Sequence, residues 1–166
     1  MRNKQKGFSL IELLIVVAII LIIAAIAIPN LIRSKMAANE ASAVATLRTL
    51  NTAEVVYSST YNVTNTFAPT LNALGDGGTA GQCTAGFVPT PASACLIDIG
   101  IEGATTLAKA KSGYVLTYPA PGVNGYVINN DPGQPGTSGT RHFFTNQTLV
   151  ITQNSAAAAT AGDSPI

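Results

Sequence analysis

The residues able to do chemistry are few, and their neighbours limit what each can do. Glu12 stands inside an otherwise apolar run, Phe8 to Ile28 (FSLIELLIVVAIILIIAAIAI), in which only Ser9 is also polar. A charge within an apolar spanning helix costs on the order of 2.5–3.5 kcal/mol at mid-span and less near the ends, so such a residue usually has a partner or a task. Cys83 and Cys95 can pair, closing a loop of 13 residues counted inclusively, a constraint worth about 3 kcal/mol in chain-entropy terms. A metal site fits poorly, because His142 is the single histidine and no CxxC spacing occurs. A reactive thiol has no supporting context. His142 lies beside Phe143 and Phe144 without a nucleophile nearby and reads as a packing or hydrogen-bonded residue. Asp98, Asp131 and Asp163 are too scattered for a calcium loop of the EF-hand kind. Asn62-Val63-Thr64 and Asn146-Gln147-Thr148 match the N-x-T sequon, and Phe8, Tyr57 and Tyr61 read as packing aromatics. No constellation points to an enzyme, and none calls for a cofactor.

The element that must hold Glu12 is long. Phe8 to Ile28 is 21 residues; at about 1.5 Å per residue it covers the roughly 30 Å hydrocarbon core of a bilayer. A cleavable secretory signal would have an apolar core of about 7–15 residues followed by a small-residue cleavage site. This run is too long, and its Ala24, Ala25, Ala27 cluster is followed at once by Pro29. The leader MRNKQKG carries Arg2, Lys4 and Lys6, which favour a cytoplasmic N-terminus; Arg33 and Lys35 compete weakly from the far side.

Lys6-Gly7-Phe8-Ser9-Leu10-Ile11-Glu12-Leu13 resembles the prepilin processing signature of type IV pilins and of the pseudopilins of type II secretion. The resemblance implies cleavage between Gly7 and Phe8 by a prepilin peptidase on the cytoplasmic side and N-methylation of Phe8 by the same enzyme. It implies that Glu12, fifth after the cut, is the assembly glutamate and that Pro29 is the proline that kinks or melts the helix. The helix-softening glycine of that family has no match, its position being Leu21. The resemblance further implies a homo-oligomeric helical filament, stored in membrane lipid as a single-pass inner-membrane protein and assembled by inner-membrane machinery into an extracellular pilus for adhesion, twitching motility or DNA uptake. A pseudopilin of a type II secretion system or a minor pilin is the alternative. A membrane-anchored binding or sensor domain that keeps its leader is a third.

The chain has 166 residues, enough for one domain, and a formal net charge of +1. Taking Arg2, Lys4 and Lys6 from its nine basic residues leaves six against eight acidic, so a chain without its leader is about −2. This charge offers no basic footprint for nucleic acid.

The expected fold class is α+β: a long N-terminal helix packed on a small four-stranded antiparallel sheet. The leader is 1–7, the transmembrane or filament-core helix 8–29, and its amphipathic continuation 30–61. There Ala43, Leu47, Leu50, Glu54, Tyr57 and Tyr61 recur at helical spacing, with Arg33, Lys35, Glu40 and Arg48 solvated or facing neighbouring subunits. Residues 62–112 form a Thr/Gly/Pro-rich loop region holding both cysteines. It has one helical turn at Thr70 to Leu74, a partly strand-like alternation at Leu96, Ile97, Ile99 and Ile101, and a turn at Leu107 to Lys111. Residues 113–153 form a β-meander with strands at Tyr114–Tyr118, Gly125–Asn129, Arg141–Thr145 and Leu149–Thr152, a turn at Pro119-Ala120-Pro121-Gly122 and a Pro/Gly loop from Asp131 to Gly139. Residues 154–166 are a low-complexity tail, mobile or laid over the surface.

The oxidising compartment expected for the bulk of the chain gives a direct test. Alkylation of the folded, exported protein without reductant should label neither Cys83 nor Cys95, and reduction should expose both. Labelling of both without reductant would refute the pairing.

Overall fold

The computed structural model describes residues 8–61, 67–79, 81–119 and 125–166. The leader with Gly7, the sequon at Asn62 and residues 120–122 of the expected turn lie outside these.

Helix α1 spans Leu10–Thr60 and runs through Pro29. No glycine occurs between Gly7 and Gly75, which spares α1 the residue that costs a helix interior about 1 kcal/mol. Near its end Ser58 and Ser59 turn their hydroxyls back onto the Val55 and Val56 carbonyls at 3.0 and 2.9 Å, a bond that competes with the helical ladder. By its contacts the chain forms two units, 1–35 and 36–166. In the first, α1 exposes its apolar side chains on all faces. In the second, α1 buries one stripe, Ala43, Leu47, Leu50, Ala53 and Tyr57, in a core shared with Tyr114, Leu116, Tyr126, Ile128 and Phe143. Each large side chain so buried contributes roughly 1.5–3 kcal/mol relative to exposure.

The sheet is a five-stranded antiparallel meander in the order β1 (Tyr114–Thr117), β2 (Val127–Pro132), β3 (His142–Asn146), β4 (Ile151–Asn154), β5 (Ser164–Pro165). The register pairs Leu116 with Asn130, Ile128 with Thr145 and Phe144 with Thr152. The expected strand count of four is therefore corrected to five. The fifth comes from the tail, where Ser164 pairs with Gln153 and the Ile166 N–H donates to the Ile151 carbonyl at 3.1 Å. Ala159 is buried, and Asp163 accepts bonds from Thr160 and Asn154. These contacts order a stretch whose composition suggested none.

Other boundaries shift. β2 continues through Asp131 and Pro132, residues expected in a loop, and β4 starts two residues later than Leu149. The alternation expected at Ile97, Ile99 and Ile101 gives way to a single helical turn, α3 (Ile99–Glu102), because the Asp98 carboxylate accepts the Ile101 N–H at 3.1 Å. The expected turn near Thr70 is α2 (Leu71–Leu74), capped by the Thr70 hydroxyl, and the turn near Leu107 is a 3₁₀ segment, Leu107–Lys109. Glu40, expected to be solvated or to face neighbouring subunits, is buried within its own chain.

The core stripe makes a prediction. Leu47→Ala should lower the unfolding free energy of the processed chain in detergent by about 2–5 kcal/mol, whereas Val55→Ala, on the exposed face, should change it by less than about 0.5 kcal/mol. Equal losses in denaturant titrations would contradict this assignment of the core.

Candidate functional site

The first turn of α1 carries the candidate site. The Ser9 N–H, immediately before the helix, donates to Oε2 of Glu12 at 2.9 Å, and the Leu13 N–H donates to the Ser9 carbonyl at 3.3 Å. A carboxylate placed here answers backbone donors that a helix start leaves orphaned and lies at the positive end of the helix dipole. Phe8 is 76% exposed. Twenty uncharged residues separate Glu12 from Arg33, so the two charges stand roughly 30 Å apart along a regular helix. Among the described residues α1 is the one helix long and apolar enough to cross a membrane. Its exposed leucines, isoleucines and valines between those charges call for hydrocarbon or other apolar helices around them. Pro29 lies in this stretch, where it has no N–H for the Ala25 carbonyl.

Cys83 and Cys95 are joined by a disulfide, with their Cα atoms 5.7 Å apart. The loop they close is fastened at its C-terminal end. The N–H groups of Ala94 and Cys95 donate to the Ala73 and Gly75 carbonyls, each at 2.9 Å, and the Tyr57 hydroxyl donates to the Pro91 carbonyl at 2.7 Å. The hydrogen bonds from Ala94 and Cys95 tie the α2 region to the segment leading into α3, and the disulfide adds Cys83 to that tie.

The remaining titratable groups hold structure together. Glu54, fully buried on α1, accepts from the Ala68 N–H at 3.0 Å and from the Tyr118 hydroxyl, which is also within 2.7 Å of the Ala68 carbonyl. Burial pushes its carboxyl up to about 6, with the two donors pulling the other way. One turn earlier, Asn51 receives the Tyr126 hydroxyl and donates to Thr145 and to the Leu149 carbonyl. Burial works to raise Glu40, but the Thr140 and Arg141 donors outweigh it and hold the carboxyl below its usual range; the ion pair to Arg141 Nε is 2.7 Å. Glu102 accepts the Asp76 and Gly78 N–H groups at 2.9 Å, and burial together with the Asp76 carboxylate raises it. His142 Nδ1 lies 2.7 Å from Asp131 Oδ1. Among the described residues no group of three or more His, Cys, Asp or Glu is placed to hold a metal. The anchoring roles of Glu40, Glu54 and Glu102 left no signal in the sequence, because their partners lie 14 to 101 positions away.

Comparison with known proteins includes the same end of the chain and extends beyond it. The family model described as the prokaryotic N-terminal methylation motif matches residues 2–28. The chain is 37% identical over 105 residues to the type IV wide pilus major component PilA4 of Thermus thermophilus, covering 63% of this chain and 79% of that protein. It is 30% identical over 135 residues to the type II secretion system core protein G of Escherichia coli, covering 81% and 77%. Over 51 residues it is 51% identical to the type IV major pilin protein PilA of Myxococcus xanthus, covering 31% and 23%. No solved structure gives a significant match.

The buried Glu54 has a titration signature. A carboxyl raised from 4.5 to about 6 on folding stabilises the fold fully below pH 4.5, and that stability is lost as pH rises through 6. Glu54→Gln removes this dependence, so the stability of the variant relative to the parent should rise by about 2 kcal/mol between about pH 4 and pH 7. A pH-independent difference would show that Glu54 does not titrate in this range.

Proposed function

Because the chain belongs to the family of type IV pilins and type II secretion pseudopilins, we propose that it is the structural subunit of a helical type IV pilus, assembled from the membrane in which the subunit is stored. The observation that carries this reading is the start of α1: an apolar helix exposed on all faces, with a single carboxylate in its first turn, directly after Gly7-Phe8. In the stored subunit lipid surrounds residues 8–29, with Glu12 near the cytoplasmic headgroups, where a charge costs least. The cations of the leader hold the N-terminus in the cytoplasm, and Arg33 and Lys35 meet the opposite headgroups.

A prepilin peptidase hydrolyses the Gly7–Phe8 bond, which frees the α-amine of Phe8 and removes three positive charges, and the same enzyme methylates that nitrogen. In the filament the apolar stretches bundle without water, and Glu12 pairs with the cationic amine of a neighbouring Phe8. Assembly therefore depends on processing, and a buried polar contact fixes the axial register. Pro29, lacking the N–H that would bond the Ala25 carbonyl, is where α1 bends or loosens on packing. Inner-membrane assembly machinery extracts the subunit. The identity to a type II secretion core protein keeps a pseudopilin as the second reading.

Intact mass of the membrane or filament form should match a chain starting at methylated Phe8. Retention of residues 1–7 would contradict the reading and favour an anchored domain that keeps its leader. A strain whose only copy carries Glu12→Val should insert, process and fold the protein yet form few or no surface filaments, and normal filament number and length would overturn the role of Glu12. Long surface filaments containing the wild-type protein separate a pilin from a pseudopilin.

A further inference from the structure

Leu149 sits where a leucine is poorly suited. In the β3–β4 turn it holds φ +65°, a left-handed conformation that glycine or asparagine enters easily and a bulky residue does not. The backbone is fixed there from both sides: the Leu149 N–H donates to the Asn146 carbonyl at 2.9 Å, and the Leu149 carbonyl accepts from Asn51 Nδ2 at 3.2 Å. Little burial offsets the strain, since Leu149 and its neighbour Val150 are each 47% exposed. Arg48, Thr52 and Val55 share one face of α1, and with Asn51 and Leu149 they line a groove of about 350 Å³. Strain retained at an exposed apolar side chain beside a groove marks a surface in use.

The same chain carries an apolar segment that it leaves uncovered. Val88 is 75% exposed, more than any other large apolar side chain described in residues 36–166. It lies inside the loop closed by Cys83 and Cys95, and Gly77 to Ile97 contains no charged residue. Among the described residues the Phe87, Val88 and Pro89 carbonyls accept no hydrogen bond. The bond from the Tyr57 hydroxyl to the Pro91 carbonyl fastens this loop to α1, on a face roughly 200° around the helix from Val55.

We propose that the groove at Leu149 receives the Phe87–Pro89 segment of a second copy of this chain. The occupant rests on the filament reading above, to which this adds a contact between heads. A groove and a segment on different faces make a head-to-tail contact, and such contacts propagate into open helical filaments when they do not close into a ring. Val88 enters beside Val55 and Leu149, and the segment brings no charge to be stranded. No ion pair engages Arg48 among the described residues, so its guanidinium is placed at the rim to donate to the open carbonyls of the incoming loop. The disulfide orders the segment before it docks, which lowers the entropy lost on contact.

The test uses full-length chains coexpressed with wild type, carrying a photoreactive benzophenone amino acid at position 88 or, in a second variant, at position 52. Irradiated filaments should give dimers on denaturing gels. Peptide mapping should join position 88 to residues 48–55 or 149–150 of the other chain, and position 52 to residues 87–89. Dimers joined elsewhere, or none from probe-bearing chains that have entered filaments, would overturn the docking and leave the filament reading standing. Wild-type cells without filaments would remove that reading and the docking with it. Leu149→Asn separates assembly from folding, because asparagine tolerates the left-handed turn. The urea midpoint of this full-length variant in detergent should equal or exceed that of wild type. As the only copy in the cell it should lower filament yield at least about tenfold, the loss expected when one large apolar side chain is no longer buried between copies. A lowered midpoint, or an unchanged yield, would overturn the proposal.

Discussion

A carboxylate in an apolar helix has to be answered by a donor in every environment the helix enters, and that requirement organises the N-terminal part of this chain. Water answers it for nothing beyond the headgroups. Within the chain the nearest donor is the backbone at the helix start, and Ser9 supplies it. The distance of twenty residues to Arg33 then allows one stretch of helix to serve both a bilayer and an apolar bundle, since neither solvent meets a second charge within it.

Beyond Lys35 the same helix obeys a different rule. It buries a stripe of small, aliphatic and aromatic residues against a sheet, and its buried Glu40, Asn51 and Glu54 are matched to donors and acceptors from the sheet or the loops. Asn51 and Glu54 bind the β3–β4 turn, Tyr126, Tyr118 and the backbone at Ala68, and Glu40 binds Arg141 and Thr140 at the start of β3. Satisfied networks of this kind specify one arrangement of the elements, because an alternative packing would strand a buried charge. With five strands of two to six residues, such pins matter more than they would in a larger sheet.

The legible parts of this protein were those governed by local pattern. Leu47, Leu50 and Tyr57 announce a buried face by their spacing, a short helical turn is legible at Thr70 to Leu74, and Lys6 to Leu13 carries a dense local signature. The parts that escaped were decided by residues far apart in the chain. Glu40 looked like a solvated helix residue because Arg141 is 101 positions away. The isoleucines near 99 alternate as a strand would, but a cap from Asp98 starts a single turn of helix that ends at Gly103. The tail reads as low complexity, and only its register against Thr152 and Gln153 makes a strand of Ser164 and Pro165.

That last strand has a bearing on how copies of the chain can meet. A sheet edge with a row of free N–H groups is a template for another strand, and it is a hazard wherever identical chains are concentrated. Here the outermost strand is two residues long, and one of them is a proline with no N–H to offer. At the opposite edge the Leu116 N–H is already engaged by the Ala104 carbonyl at 2.7 Å. Neither margin of the sheet invites extension, so crowding these heads together favours contacts through side chains, which can slide and reform, over a continuous ladder that would lock them into a single irreversible aggregate.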